Sequence, residues 1–341
     1  MGKKNVSKKK KLVITVLTVL AAAFLIIFIG ARVYFRFPVR NYYKISQQEF
    51  KIPGLTASMV PQGLDLTSDG TFIVGGYQGN NEPSRIYRID GEKKSTSGFV
   101  VLGDTEGSPI KVHAGGIASH GGYCFVTGDD ASLLVYDLND VLKGENGKVI
   151  KMLGKISLKF GNDEVIPAWV CFTADRMIIG EFYRVPNYLT PDSHIFKGAS
   201  GEENHAVALC YKLTDSSDKN FGIETQPEEI YSLPGLVQGM AVHDGKVWIS
   251  QSWGTSIATV SSYDISKSKP ETTMKTGDLE LPVYVLDSST KVSSFKAPPM
   301  SEEIIFVNGR LYIMNESASN KYIFGKLTGG SWCYSTDVSR I

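Results

Sequence analysis

The sequence predicts an all-β domain carried on one N-terminal membrane-spanning helix. Two observations carry the β reading and a third carries the helix. Short apolar runs are punctuated by tight-turn residues such as Asp69-Gly70, Asp244-Gly245 and Asn308-Gly309, within a chain holding 34 glycines. Asp-Gly and Asn-Gly between alternating runs are strong hairpin signals, because both central turn positions take positive φ. One outline of strand, turn and strand recurs five times along the chain. Ahead of it, residues 12–31 are twenty residues without a charge. Recurrence of whole four-stranded units is the pattern of a β-propeller, with five blades preferred and six the alternative. A β-sandwich or two small β domains also fit short strands with regular turns. Repetition of the entire hairpin outline favours the propeller.

The elements follow in chain order. Residues 1–11 form a basic cytoplasmic tail, and residues 12–31 match the ~30 Å hydrocarbon core at 1.5 Å per residue. Six lysines precede the apolar stretch, which by the positive-inside rule keeps the N-terminus in the cytoplasm. A cleaved signal peptide would share that basic start, but its apolar region is shorter, about 7–15 residues, and Ile29-Gly30-Ala31 is a poor cleavage site. The segment is therefore read as a signal-anchor. Residues 32–42 form a juxtamembrane linker, and residues 43–341 the propeller.

The first repeat begins at Pro61-Gln62-Gly63, the second at Ala114-Gly115-Gly116 and the third at Pro167-Ala168-Trp169. The fourth begins at Val237-Gln238-Gly239 and the fifth at Ser301-Glu302-Glu303. With Gly63, Gly116, Trp169, Gly239 and Glu303 taken as equivalent, the steps are 53, 53, 70 and 64 residues, a blade-like period. A third strand follows each hairpin, as in residues 84–89 or 133–137, and usually a fourth, as in 99–102 or 229–233. Residues 43–52, ahead of the first repeat, read like one of these fourth strands. They are expected to close the ring against the last blade and remove a free edge.

Composition narrows the function. Residues 1–44 hold ten of the 36 basic residues and no acid, leaving 26 basic against 35 acidic residues and about −9 on the rest of the chain. Such a domain does not suit nucleic acid, which wants a basic face. Cys124, Cys171, Cys210 and Cys333 lie scattered in apolar runs and read as core residues, with a Cys210–Cys333 bridge open as an alternative. The sequence shows no H-E-x-x-H, G-x-S-x-G, Walker loop, G-x-G-x-x-G or EF-hand loop. No cofactor is expected and no metal, since His113, His194 and His205 lack a ligand spacing.

In the general form of its repeat, from residue 45 to the end, the chain resembles β-propellers of the lactonase-like and NHL-like kind. More closely, it is similar to membrane-anchored propellers of Gram-positive bacteria. The resemblance implies architecture and brings no catalytic motif with it.

Blade topology says where chemistry should sit. First-to-second-strand hairpins form one face, and here they are chemically plain. The opposite face is built from loops leading into first strands, offering Gln62, His113, Trp169, Gln238, Glu302 and Glu303. Loops leaving second strands add Tyr77, Asp129, Asp130, Glu181, Tyr183, Arg184, Trp253 and Glu316. Aromatics beside carboxylates and amides at a concave mouth suit a small-molecule or sugar site. Glu302 and Glu303 are expected at its centre. The long segment 184–204, with Tyr188, Pro191, His194 and Phe196, is expected to form a lid.

The leading expectation is a binding module for an envelope or extracellular ligand, a glycan among the options, without turnover. The alternative is a carbohydrate- or lactone-directed hydrolase or lyase using Glu302, Glu303, Glu181 or Glu316 as acid and base. A third reading is a scaffold docking another protein through an apolar patch.

Overall fold

The computed structural model describes residues 2–215, 219–265 and 269–341, with side chains from Ser7 onward. Two-residue turns make three of the five inner hairpins. His120 pairs with Tyr123, His243 with Lys246 and Val307 with Arg310. The residues between them all have positive φ: Gly121 and Gly122, Asp244 and Gly245, Asn308 and Gly309. These are the geometries that match the natural twist of antiparallel strands.

The hairpins belong to five antiparallel sheets. The first blade runs Met59–Leu66, Thr71–Gln78, Arg85–Asp90 and Ser95–Leu102. The second runs Ile117–His120, Tyr123–Thr127, Ser132–Asp137 and Met152–Ser157. Trp169–Phe172, Arg176–Gly180, Ala206–Lys212 and Glu229–Leu233 make the third. Val237–His243, Lys246–Gln251, Ala258–Tyr263 and Lys291–Ala297 make the fourth. The fifth holds Ser301–Val307, Arg310–Asn315 and Trp332–Thr336.

The fifth blade takes its fourth strand from the other end of the chain. Ser46–Lys51 pairs with Trp332–Thr336 as the outermost strand. Glu49 accepts a hydrogen bond from the Ser335 hydroxyl at 2.6 Å and lies 3.2 Å from Lys94 of the first blade. Phe50 is fully buried with its ring centroid 5.0 Å from that of Phe72. The closing strand starts later than expected: Tyr43 lies in the short helix Arg40–Ile45, and Ser46 is the first strand residue.

Five hydrophobic clusters hold the ring, one for each pair of neighbouring blades. The architecture is therefore a five-bladed propeller. Its inner strands are packed backbone to backbone. A Cβ on Gly116 would meet Trp169 Cα at 2.6 Å, so only glycine fits that position.

Two features depart from four strands per blade. Leaving the third strand of the fourth blade, the chain crosses to the third and adds Thr272–Thr276 and Leu279–Val285. The second of these runs parallel to Glu229–Leu233. The first blade likewise gains Val149–Ile150 from the second, again in parallel. The cysteines are all free, and Cys210 and Cys333 belong to separate clusters in the third and fifth blades, so the bridge between them is not formed.

At the N-terminus one helix, Gly2–Arg36, includes the single span among the described residues that is long and apolar enough to cross a membrane. The apolar stretch of that span is not buried by the propeller.

Candidate functional site

A cavity of about 650 Å³ opens at the mouth opposite the two-residue hairpins. Local backbone irregularity prepares it. In the first, fourth and fifth blades the inner strand shifts register at the same place, between Pro61 and Gly63, Val237 and Gly239, and Ser301 and Ile304. An extra residue in one strand turns its side chain out of the regular alternation. The residues carried by these shifts are Gln62, Gln238 and the pair Glu302-Glu303.

Gln62 is the hub of one wall. Its Nε2 donates to Glu316 Oε2 at 2.7 Å, and its Oε1 lies 2.9 Å from His113 Nε2. The backbone N–H of His113 donates to Asp129 Oδ1 at 2.8 Å, and its ring stacks on Tyr77 with centroids 4.9 Å apart. Lys321 donates to the Tyr77 hydroxyl at 2.7 Å. One network thus links the fifth, first and second blades.

The opposite wall comes from the third and fourth blades. Glu181 faces the cavity, accepting from the Val207 backbone N–H at 2.9 Å, and lies 2.8 Å from Nδ1 of the buried His194. Trp253 and Tyr188 meet edge to face with centroids 5.6 Å apart, and Phe182 tilts against Trp253. Segment 184–204 walls this side through Tyr188, Leu189, Thr190 and Pro191.

Burial sets the protonation of the acids, because desolvation disfavours the charged form. It lifts Glu316 from 4.5 to about 7, even though Lys321 and the hydrogen bonds from Gln62 and Tyr322 pull the other way. Glu302 is held well above the usual range by burial, then by Glu316 and Glu303 beside it. Its Oε1 has no hydrogen-bond partner. Glu303 is also raised by burial. The Ile304 and Met240 backbone N–H groups lie near its carboxyl and offset part of this, but neither makes a hydrogen bond of ordinary geometry. Glu181 is raised by burial against the opposing effect of His194, and the His113 imidazole is lowered by burial.

Several candidates take other places. Glu302 and Glu303 sit beneath the cavity rather than lining it. Glu303 fills a gap in the neighbouring blade, where a Cβ on Gly239 would lie 2.6 Å from its Oε1. Trp169 is fully buried in the core between the third and fourth blades, pressed on Gly180. Tyr183 stacks on His205 with centroids 4.7 Å apart, and Arg184 lies 4.1 Å over the Trp253 ring. His113, His194 and His205 therefore have separate partners. Gln62, Tyr77, His113, Asp129, Glu181, Gln238, Trp253 and Glu316 do come together around the cavity. Sequence reasoning missed Lys321 and Tyr322, which also line it. Both follow Glu316 in the connection between strands of the fifth blade, beyond the part of the repeat that could be aligned.

No protein-family model matches the sequence, and neither does any curated protein. Among solved structures the chain is similar to glutaminyl cyclase from Myxococcus xanthus, with 11% identity, TM-score 0.42, and coverage of 85% of this chain and 94% of that one. A luciferin-regenerating enzyme gives 11% identity, TM-score 0.38 and coverage of 85% and 94%. The tail fiber of Staphylococcus aureus phage P68 gives 11% identity and TM-score 0.46, covering 88% of this chain and 54% of that one. Likeness this distant carries nothing about what the cavity does.

Proposed function

We propose that this is a single-pass membrane protein whose propeller stands outside the cytoplasm and binds a polar ligand in its mouth cavity. The supporting observation is the cavity itself. Its volume suits a small molecule, and aromatic faces from Tyr77, Tyr188 and Trp253 surround amide and carboxyl groups fixed in a network. Apolar ring faces beside a few oriented polar groups suit a saccharide of an envelope or extracellular glycan. The orientation rests on the lysines before the apolar span. Protease added outside wall-stripped cells should digest the propeller, and a protected propeller would reverse the topology.

Binding is tested by the melting temperature of the full-length protein in detergent against a panel of oligosaccharides, since a native-state ligand raises apparent stability. A saccharide that raises it in wild type should lose that effect in Trp253→Ala and in Gln62→Ala. Stabilisation that survives both substitutions places the ligand elsewhere.

One observation favours a second reading, in which the mouth is catalytic. A carboxyl near 7, beside a second acid that burial also raises, is suited to general acid–base work in a hydrolase or lyase. Glu316→Gln separates the two readings. An enzyme turns over a bound saccharide in wild type and loses that turnover in Glu316→Gln while still binding, whereas a binding module shows no turnover in either.

A further inference from the structure

The strand directions fix which end of the propeller the anchor enters. In the fifth blade Ser301–Val307 runs from the mouth toward the hairpin at Asn308-Gly309, and Arg310–Asn315 returns to the mouth. The connection between Asn315 and Trp332 therefore lies on the mouth side. It supplies Lys321 and Tyr322 to the cavity and also carries the short helix Phe324–Thr328.

The anchor helix docks on that connection. The Phe35 ring stacks on Phe324 with centroids 4.5 Å apart. Arg36 Nη1 donates to the Thr328 carbonyl at 3.1 Å, and Arg32 Nη1 to the Leu327 carbonyl at 3.4 Å. Arg32 is the first residue after the uncharged stretch. At 1.5 Å per residue, the docking contacts lie within about 8 Å of the apolar span's end, which is headgroup depth. From there the chain descends the outside of the fifth blade to Ser46 at the hairpin end and turns back up. A helix folded down the propeller's side would be covered by it, and this one is not.

The mouth face also bears apolar side chains that the fold does not cover. Leu189 is 68% exposed, Ile323 61% and Val185 60%, with Ile166 and Tyr188 close to half exposed. They stand on the rim of the third and fifth blades, on connections that also supply cavity walls. Elsewhere on the propeller Leu153, Val242, Val292 and Ile341 are exposed, none by more than half.

We propose that the mouth face rests on the surface of the bilayer that the anchor spans, with Leu189, Val185, Ile166 and Ile323 entering the headgroup layer. Continuity with the docked anchor is the argument for lipid as occupant. Apolar side chains held at headgroup depth gain free energy by inserting there, as in interfacial amphipathic helices. A further step rests on the cavity being a binding site, as proposed above. Its ligand is then a membrane-held amphiphile whose polar head enters from the bilayer plane.

The test uses the full-length chain in phosphatidylcholine vesicles, with one cysteine introduced beyond the four native ones and labelled with bimane. Leu189→Cys reports on the mouth and Asn308→Cys on the opposite face, with unsubstituted protein as the labelling blank. Ile166→Cys and Asp244→Cys repeat the comparison in case either variant fails to fold. Lipids bearing a doxyl quencher near the headgroup should remove emission at 189 and 166 and spare 308 and 244. Equal quenching at both faces, quenching at 308 alone, or none at 189 and 166 overturns the proposal, the last pointing to a protein as the partner of this rim. The readout does not depend on ligand. Quenching at the mouth with no stabilising saccharide would count against the binding reading alone.

Discussion

Glu302, Glu303 and Glu316 are three acids within one blade, and their surroundings separate them. Two acids where other repeats carry Gln-Gly or Gly-Gly signalled from the sequence that this spot was unusual. What the sequence could not show was that Glu303 occupies the space left by Gly239, a contact between strands 64 residues apart. Nor could it show that Lys321 would stand near Glu316. The buried acids make stability pH-dependent. A carboxyl raised from 4.5 to about 7 holds its proton more tightly folded than unfolded. Its contribution is fully present below about 4.5 and is lost as pH rises through about 7, a difference on the order of 3 kcal/mol for Glu316. Denaturant titrations across that window should show stability falling as pH rises, with Glu316→Gln flattening the slope. Stability that rises with pH there would mean Glu316 is charged and compensated in the native state.

Strands and hairpins were readable where their signals were local. Asp-Gly, Asn-Gly and Gly-Gly turns are chemically distinctive: Asp244-Gly245, Asn308-Gly309 and Gly121-Gly122 each sit in a two-residue hairpin, while Asp69-Gly70 lies in the longer turn between Leu66 and Phe72. The closing strand could be recognised within residues 43–52 because that segment reads like the other outer strands and an open edge is costly. The crossing strands Thr272–Thr276 and Leu279–Val285 were not anticipated, since parallel pairing with Glu229–Leu233 joins segments distant in sequence and leaves no local mark. Closure makes a quantitative expectation. Phe50 is fully buried against Phe72, so Phe50→Ala should cost about 3–5 kcal/mol of global stability, measured by chemical denaturation. Deleting residues 46–51 should do more, exposing the edge of Trp332–Thr336 and the core between the fifth and first blades. A melting temperature unchanged by that deletion would show that the ring holds without its closing strand.

For the whole molecule, the sequence separated a basic N-terminal end from an acidic domain and, through the closing strand, put that end beside the seam, but the contact itself left no local mark. That contact depends on Phe35 and Arg36 meeting Phe324 and Thr328 across nearly the full length of the chain. It makes the anchor part of the site's support, because Lys321 and Tyr322 belong to the same connection as Phe324. Elsewhere the connection is held by Ala318, buried in the cluster between the fifth and first blades, by the Tyr334 hydroxyl donating to the Gly329 carbonyl at 3.4 Å, and by the exposed contacts of Asn320 with the Thr56 carbonyl at 3.3 Å and Lys321 with Tyr77 at 2.7 Å. Removing one aromatic face and one charge-assisted hydrogen bond should therefore loosen it locally without unfolding the blades. In Phe35→Ala/Arg36→Ala, amide exchange should quicken across residues 316–330 and stay unchanged across 187–191, which the anchor does not touch. On the proposed binding role, affinity at the mouth should fall with it, since Lys321 and Tyr322 would have to be ordered on binding. Exchange that stays slow at 316–330 in this variant would show that the fifth blade fixes the mouth wall by itself, without help from the N-terminal helix.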